Sequence, residues 1–243
     1  MSRIPLRPLT ERGRALHPDQ LHTFWRNGYL VVEDLLDSAI MDQLRDEYEV
    51  VCQEARSRGK FGNFAQRESA EDEAREVMAI NQVCERNLFF NALLYNTQIL
   101  DVVEDLMGPN IQLFHDFILR KPDRHGGAVF WHQDNQTWQS MPSNNITCWI
   151  ALDDADAENG ALRYIAGSHR DTLGLSVDEE GRLEDMDKLL AEGDQHVAAV
   201  RAGGAVFHHC LTIHSSAPNN SDRIRRAHSI IFMQTGTRCR RKL

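Results

Sequence analysis

His132, Asp134 and His214 are the side chains of this sequence best suited to chemistry. Two imidazoles and one carboxylate can hold one face of an octahedral metal ion and leave the other face open, which is the ligand set of non-haem Fe(II) oxygenases. On an extended strand His132 and Asp134, two positions apart, point to the same side. A barrel can then bring the distant His214 alongside. Arg225 follows His214 by 11 positions (225 − 214), enough for a turn and a returning strand to carry it back to the same place. A guanidinium there could clamp a dicarboxylate bidentately. The pattern points to an oxygenase that uses Fe(II), O2 and 2-oxoglutarate. Decarboxylation of that cosubstrate to succinate and CO2 would supply the oxidant for hydroxylation or a related oxidation of a small molecule.

Elements must position these residues, and the chain divides into two characters. The first part reads as helical support, mostly residues 1–110. Pro18 can open a helix carrying Leu21, Phe24 and Trp25 on one face and ending near Gly28, before a short apolar strand over Tyr29 to Val32. Asp37 can cap a longer helix in which Ile40, Leu44, Tyr48, Val51 and Cys52 recur at helical spacing. Gly59 to Gln66 breaks that pattern, and the charged stretch Glu68 to Glu76 reads as helix or flap. Leu88 to Met107 reads as a helical pair stopped by Gly108-Pro109. From about 111 to 236 short strands follow at regular intervals: Ile111 to Leu119, Ala128 to Trp131, Asn145 to Leu152, Ala161 to Ile165, Val197 to Val200, Ala205 to His209 and Ala227 to Gln234. The expected fold is mainly β with flanking helices, a double-stranded β-helix (jelly-roll, cupin-like) core within one domain spanning 1–243. Asp171 to Gly193 reads as a polar insertion, and with Arg56 to Glu76 it is a candidate lid.

Composition bounds the partners. The chain has 243 residues, 42% hydrophobic and 26% charged, with a formal net charge of −9. These values suit a soluble globular domain, and the negative balance argues against nucleic acid as a partner. The basic run Arg238 to Lys242 reads as a solvated tail. Met1 to Arg14 lacks the apolar stretch of a signal peptide, and no run approaches the ~18 apolar residues of a membrane span. Five scattered cysteines without a C-x-x-C pair suit free thiols in a reducing compartment, so the expected location is cytoplasmic.

Three blocks, FWHQDNQTW, WIALDDADAENGALRYIAGSHR and HSSAPNNSDRIRRA, together resemble the phytanoyl-CoA dioxygenase family of Fe(II)/2-oxoglutarate oxygenases. The resemblance runs from about Ile111 to Gln234 and includes the opening around Gly28-Tyr29, while Arg56 to Asn87 has no counterpart. It implies that His132, Asp134 and His214 ligate iron and that Arg225 binds the distal carboxylate of 2-oxoglutarate, helped by Ser216. It further implies that Gln133 and Trp149 line the cosubstrate pocket. Phe117 stands at another pocket position but differs in identity from relatives. Related halogenases replace the carboxylate ligand with a small residue, so the presence of Asp134 favours hydroxylation.

Each assignment has a plainer reading. The chain has 11 histidines, and a histidine alone is usually a surface or satisfied core residue; for His132 and His214 the surrounding motifs override that. Arg225 and Arg226 must face opposite ways on a strand, one inward and one toward solvent or an acid. Of His208 and His209, one should pack and the other should hydrogen-bond nearby. His115, Asn135 and Trp138 are candidates for the substrate cavity. Competing functions are a metal-retaining jelly-roll binding protein, a zinc-dependent hydrolase and, within the oxygenases, an acyl-CoA hydroxylase. A biosynthetic tailoring enzyme is preferred, since an acidic chain gives little encouragement to an anionic thioester.

Overall fold

Apolar residues recur at helical spacing up to Met107 and alternate thereafter, and the fold follows that change of period. The computed structural model describes residues 15–66, 75–170, 183 and 186–239. Helix α1 (Pro18–Asn27) has proline at its first position and ends at Gly28, whose φ of 83° is left-handed. Strand β1 (Tyr29–Val32) follows, then α2 (Ser38–Ser57), whose Asp37 cap accepts from Ile40 N at 2.9 Å. Short strands β2 (Gly62–Asn63) and β3 (Met78–Asn81) precede α3 (Leu88–Leu93) and α4 (Thr97–Met107), which are capped by Asn87 and Asn96. Next come β4 (Ile111–Lys121), β5 (Val129–His132), the short helix α5 (Asp134–Trp138), β6 (Ser140–Met141) and β7 (Ile146–Ala151). The chain closes with β8 (Leu162–Ile165), α6 (Met186–Glu192), β9 (Gln195–Ala198), β10 (Ala205–His209), β11 (His214–Ser216), β12 (Arg225–Gln234) and β13 (Arg238–Cys239).

Two antiparallel sheets form the jelly roll. The larger has seven strands in the order β1-β10-β7-β12-β4-β3-β2, and the smaller has four, β5-β11-β8-β9. Strand alternation sorts the larger sheet's residues between two cores. Cys148, Ile150, Phe207 and Ile230 pack against Phe24, Leu44, Tyr48 and Phe90 of α1 to α3. Their neighbours Trp149, Ala151, Val206 and Ala227 pack against Leu162, Tyr164 and Ala198 of the smaller sheet. Each large side chain so buried contributes roughly 1.5–3 kcal/mol. Along β12, Ile230 and Phe232 face the helix side and Ile231 the other way, as strand alternation requires, and the register against β4 shifts between Ile231 and Phe232, leaving Phe114 unpaired.

Some expectations change. Trp25 is 49% exposed and does not share the buried face of Phe24; it lies edge-on against the Phe24 ring. The segment Arg56 to Asn87 supplies β2 and β3, extending the larger sheet beside β4. Residues 1–14, 67–74, 171–182, 184–185 and 240–243 lie outside the described residues, and with them most of the charged stretch, the polar insertion and the basic tail. No described helix is long and apolar enough to cross a membrane. All five cysteines are free.

Candidate active site

Strands β5 and β11 are neighbours, and their register sets His132 opposite His214. Opposed residues of an antiparallel pair project to one face, so the rings meet with centroids 4.2 Å apart. His132 Nδ1–H donates to Phe130 O at 2.8 Å, and His214 Nδ1–H donates to Thr212 O at 2.9 Å. A carbonyl only accepts, so both protons sit on Nδ1 and both Nε2 lone pairs are available to a metal. Burial, with His132 and His208 nearby, pushes the pKa of His214 well down and keeps the ring neutral.

Asp134 arrives differently from the strand reading. β5 ends at His132, Gln133 remains extended, and Asp134 opens α5. The carboxylate thus reaches the histidines from the first turn of a helix rather than by simple alternation. Its Oδ1 lies 3.8 Å from His132 Nε2 and 3.7 Å from His214 Nε2, and the three ligand atoms fall within 4.8 Å of one another. Its Oδ2 is already engaged: Thr147 Oγ1 donates to it at 3.0 Å and His208 Nε2–H at 3.1 Å. His208 therefore carries its proton on Nε2, and its Nδ1 accepts from Tyr164 OH at 2.8 Å. Asp134 is left with one oxygen to offer a metal. Burial alone would raise its pKa, but His214, His208 and His132 outweigh that and keep it ionised. Two imidazoles presenting Nε2 and a one-oxygen carboxylate fit Fe(II) with an open face.

Arg225 begins β12, is 1% exposed, and pairs across the ladder with Lys121 of β4. Its guanidinium carbon lies 5.2 Å above the Trp149 ring. Nε and Nη1 are buried and have no hydrogen-bond partner. Burial draws its pKa down to about 10, which still leaves a cation at neutral pH. Arg226 faces the other way and is saturated, with Asp153 Oδ1 at 2.8 Å and Glu49 Oε1 at 2.9 Å. A buried, unpaired guanidinium costs several kcal/mol, and a carboxylate ligand is what would relieve it.

The metal ligands and Arg225 share one cavity of about 590 Å³. Among the other sequence candidates, Ser216, Trp149, Phe117, His115 and Trp138 also line it. Two do not. Gln133 alternates away from His132 on extended backbone, and its amide donates to Leu211 O at 2.6 Å. Asn135 closes the turn after α5, accepting from Ser140 N at 2.9 Å and donating to Ser143 Oγ at 2.8 Å. Sequence reasoning missed Thr147, although it precedes Trp149 by two and so shares its face. It also missed Phe64 and Asn81 on the cavity wall, because their segment carried no motif. His209, next to His208, is buried and accepts from Leu211 N at 3.2 Å through Nδ1.

A jelly roll that opens a His-Asp-His face beside an unpaired buried arginine defines a non-haem iron, 2-oxoglutarate-dependent oxygenase. The model of the phytanoyl-CoA dioxygenase (PhyH) family matches residues 24–227, and the chain belongs to that family. It is 29% identical over 244 residues to the peroxisomal phytanoyl-CoA dioxygenase of Bos taurus, covering 92% of this chain and 70% of the relative. It is 26% identical to the ectoine dioxygenase of Bordetella parapertussis, covering 85% and 72% respectively. Among solved structures, the non-haem α-ketoglutarate-dependent carbocyclase SnoK from nogalamycin biosynthesis shares the fold. Its TM-score is 0.78 at 23% identity, over 95% of this chain and 89% of that one.

Proposed function

We propose that this protein is an Fe(II)- and 2-oxoglutarate-dependent dioxygenase that hydroxylates or otherwise oxidises an uncharged small molecule, an intermediate of natural-product biosynthesis. The observation that carries the reading is the buried, unpaired Arg225 in the same cavity as the His132–Asp134–His214 face. A structural zinc site or a zinc hydrolase has no use for such a group. Iron with 2-oxoglutarate and O2 supplies the oxidising power when bound. His132, Asp134 and His214 would hold the metal, and Arg225 with Ser216 would take the distal carboxylate against the Trp149 ring. Thr147 and His208 keep Asp134 to one oxygen and so keep the opposite face open. The protein's share is placement of the substrate carbon and exclusion of water.

The walls support an uncharged substrate. Among the described residues lining the cavity, Asp134 and Arg225 are the only Asp, Glu, Lys or Arg, and both are committed. Phe64 and Phe117 meet at 6.5 Å between centroids, with Trp138 also on the wall, so flat or alicyclic surface has a place to stack. Asn81, Thr137 and His115 can take hydroxyl or carbonyl groups. Among the described residues, a substrate phosphate or carboxylate would find no free cation on this wall, which disfavours an acyl-CoA thioester. The likeness to a carbocyclase of nogalamycin biosynthesis supports the same direction. Five free thiols support a reducing compartment, the cytoplasm, and the whole chain acts as a single domain.

Anaerobic reconstitution with Fe(II) and 2-oxoglutarate tests the reading through the weak visible band of the chelated metal. The wild type should show the band and His214→Ala should lose it. Arg225→Ala should need about 30-fold more cosubstrate or beyond, as expected from ~2 kcal/mol or more for breaking a buried charge pair. Absence of the band at saturating cosubstrate, with metal still bound, would sink the oxygenase reading.

A further inference from the structure

Behind the cavity wall lies a cation that the function proposed above does not use. Lys121 is the last residue of β4 and is 0% exposed. Its Nζ donates to Ser216 Oγ at 2.7 Å and to the carbonyl of Ala217. Neither acceptor is charged. The charged groups that act on it, Arg225 and Arg163, are both cations, and together with burial they push its pKa well down. Lys121 and Arg225 are directly opposed across the β4–β12 ladder, a position where like charges destabilise a sheet. A chain selected for stability alone gains nothing from two buried cations set face to face.

Ser216 shows what the arrangement can do. Its hydroxyl has one hydrogen and two lone pairs. Lys121 Nζ donates to one of those lone pairs, so the Ser216 hydrogen is directed elsewhere. Ser216 lines the cavity with Arg225, whereas Lys121 is not on the described wall. We propose that Lys121 is a positioning residue of the cosubstrate site: it fixes the Ser216 hydroxyl as a donor to the distal carboxylate, whose negative charge relieves the repulsion between Lys121 and Arg225. The inference rests on the 2-oxoglutarate reading. It assigns the carboxylate one more donor of fixed direction and makes an anion the missing member of a buried cluster.

The test is a double-mutant cycle on the full chain with Lys121→Met, Ser216→Ala and the double variant. The 2-oxoglutarate concentration for half-formation of the anaerobic Fe(II) band is measured for each, along with thermal unfolding without metal or cosubstrate. Each single variant should raise the half-saturation about 10–100-fold, the usual range for a group acting through its neighbour. The double variant should be little worse than either single, because both remove one device. Without cosubstrate, Lys121→Met should melt no lower than the wild type, since it removes an unbalanced buried charge. Unchanged half-saturation in either single variant, or additive effects in the double, overturns the proposal. A Lys121→Met chain that fails to fold or melts lower assigns the residue to structure alone and also overturns it. Absence of the band in the wild type would instead bring down the oxygenase reading itself.

Discussion

Asp134 meets its donors on one oxygen and the candidate metal position on the other, and that division sets the character of the site. Thr147 holds Oδ2 at 3.0 Å, so Thr147→Val should free the carboxylate to rotate. The expected cost is about 10–100-fold in iron affinity, read by anaerobic Fe(II) titration, while the 2-oxoglutarate half-saturation at saturating iron stays near the wild-type value. How much of the site was legible depended on which residues carry a pattern of their own. His132, Asp134, His214 and Arg225 stand in motifs whose spacing and residue types already demand the chemistry. Lys121 and Thr147 were not legible, because their roles follow from ladder registers; for His208 a nearby hydrogen bond was expected, but its acceptor, Asp134, depends on where α5 starts. Lys121 becomes part of the site only through its pairing with Arg225. Gln133 and Asn135 erred in the opposite direction: each lies beside Asp134 in sequence, yet extended backbone turns Gln133 away from His132 and Asn135 is taken up by the turn after α5.

Elements announced by a start or stop signal were readable from sequence, whereas those defined by their partners were not. Pro18 and Asp37 marked the starts of α1 and α2, and the β7, β10 and β12 cores stood out as β-rich runs. Strand β3 exists because β4 offers it an edge, and its apolar run was masked by the polar stretch before it. The α1–β1 junction gives a direct test. Gly28 has φ 83°, and a Cβ there would meet His169 Nδ1 and Thr212 Oγ1 at 2.5 Å each. Its carbonyl also accepts from His209 N at 3.0 Å and Thr212 Oγ1 at 2.7 Å. Gly28→Ala should lose at least ~1–3 kcal/mol from the left-handed backbone alone, more once the clash is added, as read by urea unfolding. Wild-type stability in that variant would mean the junction moves freely.

For the molecule as a whole, buried histidines govern how stability responds to acid. His209 is 8% exposed, and burial, with His169 and His208 alongside, draws its pKa from 6.5 to about 4. The folded chain therefore keeps this ring neutral while the unfolded chain protonates it. Its contribution is intact above pH ~6.5 and is lost as pH falls toward 4, a span of about 3 kcal/mol, of which about 2 is gone by pH 5. His209→Asn should flatten that part of the decline in urea unfolding at pH 7.5 and pH 5, and an unchanged slope would remove His209 from the account. The two sheets also divide the work of binding. His132 and His214 belong to the smaller sheet, and Arg225 belongs to the larger. Ser216, on β11 of the smaller sheet, stands with Arg225 at the proposed carboxylate end, so the distance from that pair to the His132–Asp134–His214 face would act as a ruler for chain length. A diacid one methylene shorter, as in oxaloacetate, or one longer, as in 2-oxoadipate, would reach one end of that span and miss the other.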